Sequence, residues 1–145
     1  MRGEHLQARD ATEAPGRAAP LDLDPERFRE LGHWLVDEIA QFLETLPQRA
    51  VTPGTTPAAT RAKLGADRSL PSTGADPADI LGEASELLLA NSTFTGHPRF
   101  FGYITSSAAP LGALADLLAA AVNPNVGAWA LSPMATEIER QTVRW

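Results

Sequence analysis

Large apolar side chains in this 145-residue chain come in three blocks, roughly 28–46, 80–94 and 100–145. Residues 1–20 and 48–77 are instead rich in Ala, Pro, Gly, Thr and Arg. Stretches of that composition bury too little to offset the entropy of ordering. The first twenty residues are therefore expected to be a disordered tail. Three or four helices built from the blocks bury a modest core, which favours docking onto something larger.

The helix signals are explicit. Asp24 stands as an N-cap before Pro25, whose missing N–H costs nothing in a first helical turn. Phe28, Leu31, Leu35, Ile39, Phe42 and Leu46 follow at spacings of three and four, one helical face that ends before Pro47. Trp34 and Val36 widen this face, so it needs a partner surface, either within the chain or on a second copy. Val51 to Ala75 reads as an extended, exposed connector in which prolines and glycines break any regular element. Asp76-Pro77 repeats the start signal for a helix with Ile80, Leu81, Ala84, Leu87 and Leu88 on one side, ending near Asn91-Ser92. Phe94 to Ile104 reads as irregular or extended. Pro110 opens an apolar helix over Leu111 to Val122, stopped at Asn123-Pro124. Val126 to Leu131 is a loop or short extended piece, and Ser132-Pro133 caps a last helix that runs to Trp145.

Charge and composition exclude several partners. A net charge of −6 with pI near 5.0 leaves no basic stripe to neutralise phosphates, so no nucleic-acid partner is expected. The longest apolar stretch, Leu111 to Val122, carries Asp116 and is shorter than the roughly 20 residues a membrane span needs, so no membrane is expected. The first twenty residues have no apolar run of signal-peptide length, and the chain has no cysteine, which together point to the cytoplasm.

Chemistry is sparse. His5, His33 and His97 stand far apart, so no metal site is expected. Glu137 and Glu139 are two apart on a helix and diverge. Ser106 and Ser107 have no nucleophile-elbow context. The segment His97 to Ser107 bends at Pro98 and Gly102 and then presents Thr105, Ser106 and Ser107. Such a strip either binds a carboxylate or satisfies its own backbone. Asp116, within an apolar helix, needs a hydrogen-bonding partner or access to water.

Two blocks carry a family resemblance: HPRFFGYITSS with the following LADLL, from His97 to Leu118, and NPNVGAWALSPMATEIERQTVRW, from Asn123 to Trp145. In the second, Trp129, Ser132, Pro133, Thr136, Glu137 and Glu139 form a pattern more specific than any short motif. On these residues the chain resembles the group II pyridoxal-phosphate-dependent decarboxylases, which include aromatic-amino-acid, tyrosine and glutamate-type members. The resemblance runs from about Phe28 to Trp145.

What the resemblance implies is as follows. The fold is mainly α in this chain, the helical N-terminal segment of an aspartate-aminotransferase-like (fold type I) α/β enzyme. Residues 21–95 would be a helical dimerisation segment containing the connector 48–77, and 96–145 the start of the decarboxylase domain, truncated. Pyridoxal 5'-phosphate (PLP) is the cofactor, an L-amino acid the substrate, and a second subunit of a homodimer the partner. Tyr103, Ile104, Thr105 and Ser106 border the substrate pocket. Val126, Gly127, Ala128 and Trp129 approach the active site of the partner subunit. No catalytic residue is assigned within the chain, whose one lysine is Lys63: PLP enzymes hold their cofactor on a lysine amine, and the resemblance implies that this lysine, the acid on the pyridine nitrogen, the ring-stacking histidine and the phosphate-binding loop lie further along. These 145 residues alone are therefore expected to be inactive.

Animal aromatic-acid members tend to carry an aromatic residue at the position of Ile104, proline at Thr105 and threonine at Ser106. They also tend to have tryptophan at Thr95 and an aromatic at Gly127. This chain is read as having smaller residues at each of these places, which puts aromatic specificity in doubt. Two further readings stand beside the decarboxylase: a non-catalytic helical dimerisation remnant, and a PLP-dependent aldehyde synthase relative.

Overall fold

A computed structural model describes residues 22–145, so the expected disordered tail lies outside the described residues. Five helices follow one another: α1 (Pro25–Thr45), α2 (Pro57–Leu64), α3 (Pro77–Asn91), α4 (Pro110–Val122) and α5 (Pro133–Arg144). Short 3-10 turns occupy Leu46–Gln48 and Trp129–Leu131. No strand occurs among the described residues. The chain divides within α1 into two units, one up to Ala40 and one from Gln41.

In the first unit, Asp24 caps α1 as its sequence requires. Its Oδ1 accepts from the backbone N–H groups of Glu26 (3.0 Å) and Arg27 (2.9 Å). Leu31 is buried, yet Phe28 on the same stripe keeps 55% of its surface exposed. Leu35 and Ile39 further along the stripe are half-buried, while Trp34 and Val36 beside it are exposed.

The second unit corrects the connector. Residues 57–64 are helical where an extended chain was expected. The cause is Thr56-Pro57, the same start signal as Asp24-Pro25: the Thr56 hydroxyl accepts from Ala59 N–H at 3.2 Å. Gly65 ends the helix in the left-handed region at φ 63°. The prolines here begin a helix instead of breaking one.

α3 keeps its expected bounds, and Asp76 accepts from Ala78 N–H at 2.8 Å. Of the five residues expected on one side, Leu81 and Leu87 are half-buried, together with Ser85 and Leu89, whereas Ile80, Ala84 and Leu88 are exposed. Three consecutive leucines, Leu87 to Leu89, make the apolar arc so wide that periodicity alone cannot choose a side. α2 packs against α3, and Lys63 Nζ donates to Asn91 Oδ1 at 2.6 Å.

Leu111, Leu114, Leu117, Leu118 and Val122 on α4 are between 47% and 79% exposed. Asp116 is exposed as well and reaches water directly. Asn123 closes α4 at φ 48°, with its N–H on Ala119 O at 2.8 Å. Before α5, Ser132 does not cap through its side chain as expected. Its carbonyl is taken instead by the hydroxyl of Thr136 at 2.8 Å, and Thr136 is buried.

Candidate functional site

The best-connected part of the second unit is a corner around Arg49, just past the 3-10 turn that ends α1. Thr45 donates its hydroxyl to Gln41 O at 2.8 Å, as β-branched hydroxyls do in helices, which leaves its lone pairs for Arg49 Nε at 3.0 Å. Arg49 also donates to Leu89 O at 2.9 Å. That carbonyl lies in the last turn of α3, where no intrahelical donor remains and the dipole favours a cation. The guanidinium stands over the Phe42 ring, 5.1 Å from its centroid. Phe42 in turn meets Phe94 at 5.1 Å and 55°. A recess of about 200 Å³ opens here, with Arg49, Thr52, Leu89, Ser92 and Phe94 in its wall.

His97 joins this corner. It is 3% exposed, with Nε2 3.0 Å from Arg49 O and Nδ1 3.0 Å from the N–H of Arg99. The Arg99 guanidinium reaches Arg49 O as well, at 3.3 Å. Backbone bonds from His97 N–H to Phe94 O (3.1 Å) and from Phe100 N–H to His97 O (2.9 Å) fold the chain into consecutive turns.

These turns deliver the expected pocket residues. Tyr103, at φ 60°, is in the left-handed region, which costs a non-glycine residue about 1 kcal/mol. Its ring is 86% exposed and lies 6.1 Å from that of Phe100, and Ile104 is fully exposed. Thr105 and Ser106 are exposed too. Thr95 donates its hydroxyl to Ser106 O at 3.4 Å.

The second expected group, Val126, Gly127, Ala128 and Trp129, forms an exposed turn entering the 3-10 element. Asn125 Oδ1 accepts from Gly127 N–H at 2.9 Å and shapes it. Trp129 Nε1–H donates to Glu137 Oε1 at 2.9 Å. Sequence reasoning does not find the Arg49–His97–Arg99 corner: nothing in the sequence signals Arg49, and His97 stands out only as an isolated histidine and as the first residue of the first resemblance block. Among the described residues no cluster of His, Cys, Asp or Glu could hold a metal. No helix of these residues is long and apolar enough to cross a membrane.

Lys63, the chain's one lysine, is exposed and donates to Asn91.

Comparison with known proteins places the chain. Residues 57–145 match the family model described as "Pyridoxal-dependent decarboxylase conserved domain". A tyrosine decarboxylase of Oryza sativa subsp. japonica is 40% identical over 126 residues, covering 86% of this chain and 24% of the relative. A human histidine decarboxylase is 32% identical over 123 residues, 85% of this chain and 18% of the relative. A phenylacetaldehyde synthase of a Rosa hybrid cultivar is 28% identical over 137 residues, 94% of this chain and 27% of the relative. The chain thus spans about a quarter or less of the length of these curated relatives. No solved structure gives a significant match. The helical, strand-free described residues agree with an amino-terminal segment of this fold type I family. With more than half its length under the family model, and both resemblance blocks inside the match, the chain belongs to the pyridoxal-dependent decarboxylase family.

Proposed function

We propose that these 145 residues are the amino-terminal part of a PLP-dependent carboxy-lyase that decarboxylates an L-amino acid. The observation that carries this reading is the family match over 57–145, supported by decarboxylases that share 32% and 40% identity with the chain. The cofactor's lysine and its other holding groups are supplied by sequence outside this chain. Lys63 is not that lysine, a view supported by its exposure and its bond to Asn91.

Within the enzyme the chain supplies walls. Tyr103, Ile104, Thr105 and Ser106 line the substrate pocket, where they orient the α-carboxylate and select the side chain. Their exposure here leaves them free for that task. Val126, Gly127, Ala128 and Trp129 reach toward the active site of a homodimer partner, and the α1 face packs on that partner. The enzyme works in the cytoplasm.

The test is product analysis. A PLP-loaded enzyme carrying this segment, offered L-tyrosine, L-histidine and other L-amino acids, releases CO₂ and the matching amine. Release of neither CO₂ nor amine from any of them overturns the reading. Aldehyde and ammonia in place of amine support the aldehyde synthase, a second reading favoured by the phenylacetaldehyde synthase relative. The 145-residue chain alone is expected to form no imine with PLP. A stoichiometric, borohydride-trapped adduct at Lys63 would falsify the assignment of that lysine.

A further inference from the structure

We infer that His97 is a positioning residue: its ring, donating from Nε2 and accepting at Nδ1, pins a closed loop that carries Tyr103 to Ser106 onto the Arg49 corner. The inference rests on the reading of Tyr103 to Ser106 as a pocket wall.

The ring's protonation follows from its partners. The Arg99 backbone N–H can only donate, so Nδ1 must be bare. The Arg49 carbonyl can only accept, so Nε2 must carry the proton. Both contacts select one tautomer, and both nitrogens are spent on backbone groups. A ring so occupied, and 3% exposed, has no lone pair or proton left for substrate or metal. What it does is hold. Its Nε2–H spans 48 residues of sequence to Arg49, which is itself tied to Thr45 on α1 and Leu89 on α3.

From this anchor the loop is closed at both ends. The turns through Phe94, His97 and Phe100 start it, and the Phe100 ring faces Tyr103 at 6.1 Å. At its far end Ser106 O returns to the Thr95 hydroxyl at 3.4 Å. Gly96 lies so close to Ser107 that an added Cβ would meet the serine Cβ at 3.4 Å. The strip held between these closures contains the left-handed Tyr103. Loss of the anchor would let Tyr103 relax to an ordinary conformation and dissolve the wall.

Tyr103 is the chain's one tyrosine, so incorporated 3-fluorotyrosine gives a single fluorine resonance that reports on the wall. In the enzyme carrying this segment, with 3-fluorotyrosine placed at position 103 alone, that line is expected to be displaced from its urea-unfolded position. His97→Phe should collapse it onto the unfolded position and speed exchange of the Arg99 and Phe100 amides roughly tenfold, the scale of one net hydrogen bond. His97→Asn, which keeps an acceptor for Arg99 N–H, should restore much of both. Thr95→Val leaves the His97 contacts untouched and should move the line part of the way, so a folding failure of His97→Phe does not spare the inference. An unmoved line in both His97→Phe and Thr95→Val overturns it, as does an asparagine variant no better than phenylalanine. In active enzyme, His97→Phe should raise KM several-fold and His97→Asn should bring it most of the way back, and an unchanged KM in His97→Phe counts against a positioning role. Absence of any decarboxylation would instead overturn the proposed function, since the fluorine line is read without turnover.

Discussion

The indole N–H of Trp129 donates to Oε1 of Glu137 at 2.9 Å, and Arg140 donates to that same oxygen, also at 2.9 Å. The residues are eight apart, but the 3-10 turn at Trp129–Leu131 and the start of α5 at Pro133 fold the interval back on itself. Between them, buried Thr136 closes the turn on the Ser132 carbonyl. Trp129, Ser132, Thr136 and Glu137, four of the positions that made the second block so specific, are thus bonded within one short stretch. That stretch fixes the direction of the Val126 to Trp129 turn.

Glu137→Ala should therefore free the indole, while Glu137→Gln keeps an acceptor and should hold it more weakly. The group is exposed, so the expected loss is modest, about 0.5–1 kcal/mol. Proton exchange of the Trp129 indole N–H, with Trp34 and Trp145 replaced by Phe, measures it. Equal exchange in Glu137→Ala and the parent would show the bond to be idle.

Arg49→Lys should not substitute for arginine at the corner. Arg49 uses Nε on Thr45, NH1 on Leu89 O and its flat face on Phe42, a division of labour that an ammonium cannot reproduce. Both Arg49→Lys and Arg49→Met are expected to destabilise the second unit, the latter by about 2 kcal/mol, mainly through the unpaired carbonyl left in the last turn of α3. Urea unfolding followed by circular dichroism reads the difference. A lysine variant as stable as the parent would reduce the corner to simple packing.

α2 is short, eight residues, and an isolated helix of that length is marginal in water. Its single side-chain cap at Thr56 should matter accordingly: Thr56→Ala is expected to cost the helix about 1 kcal/mol and melt it locally. Gly65→Ala should do comparable damage, because the position lies at φ 63°, a conformation that strains an L side chain. Amide exchange across 57–64 should rise in both variants while that of α3 changes little. Unchanged protection of α2 would mean that packing on α3 alone holds it.

Where structure was legible in the sequence, the signal was local. Asp24-Pro25, Asp76-Pro77 and Asn123-Pro124 each act within one turn, and the starts of α1 and α3 and the end of α4 fell where those residues put them. The same chemistry at Thr56-Pro57 is masked in the sequence by the surrounding glycines and prolines, whose composition is that of an extended connector. The Arg49–His97 contact was illegible for a different reason. It links residues 48 apart through a backbone carbonyl, which every residue possesses, so no side-chain pattern announces it. The exposed strip Tyr103 to Ser106 was visible only through the family resemblance. Its own residues specify a bend but not what the bend is for.

α4 sets the behaviour of the chain in solution. Leu111, Leu114 and Leu118 recur at helical spacing with 79%, 55% and 67% of their surfaces exposed, and Leu117 and Val122 extend the patch. Burying one leucine fully contributes about 1.5–3 kcal/mol, so several together strongly favour association over isolation in water. The 145-residue chain should therefore run larger than a monomer in gel filtration and bind a hydrophobic dye. Leu114→Glu with Leu118→Glu places two carboxylates on the patch, and its association should weaken by about 100-fold or more. Because α4 makes its own backbone bonds and neither leucine is buried, the double variant should keep its helical circular dichroism. That comparison separates surface from fold: dye binding and size should fall together while helicity stays. A parent chain that is already monomeric, dye-free and sharply melting would mean these leucines are satisfied within the chain, and the expectation that this face packs on a larger body would fail with it.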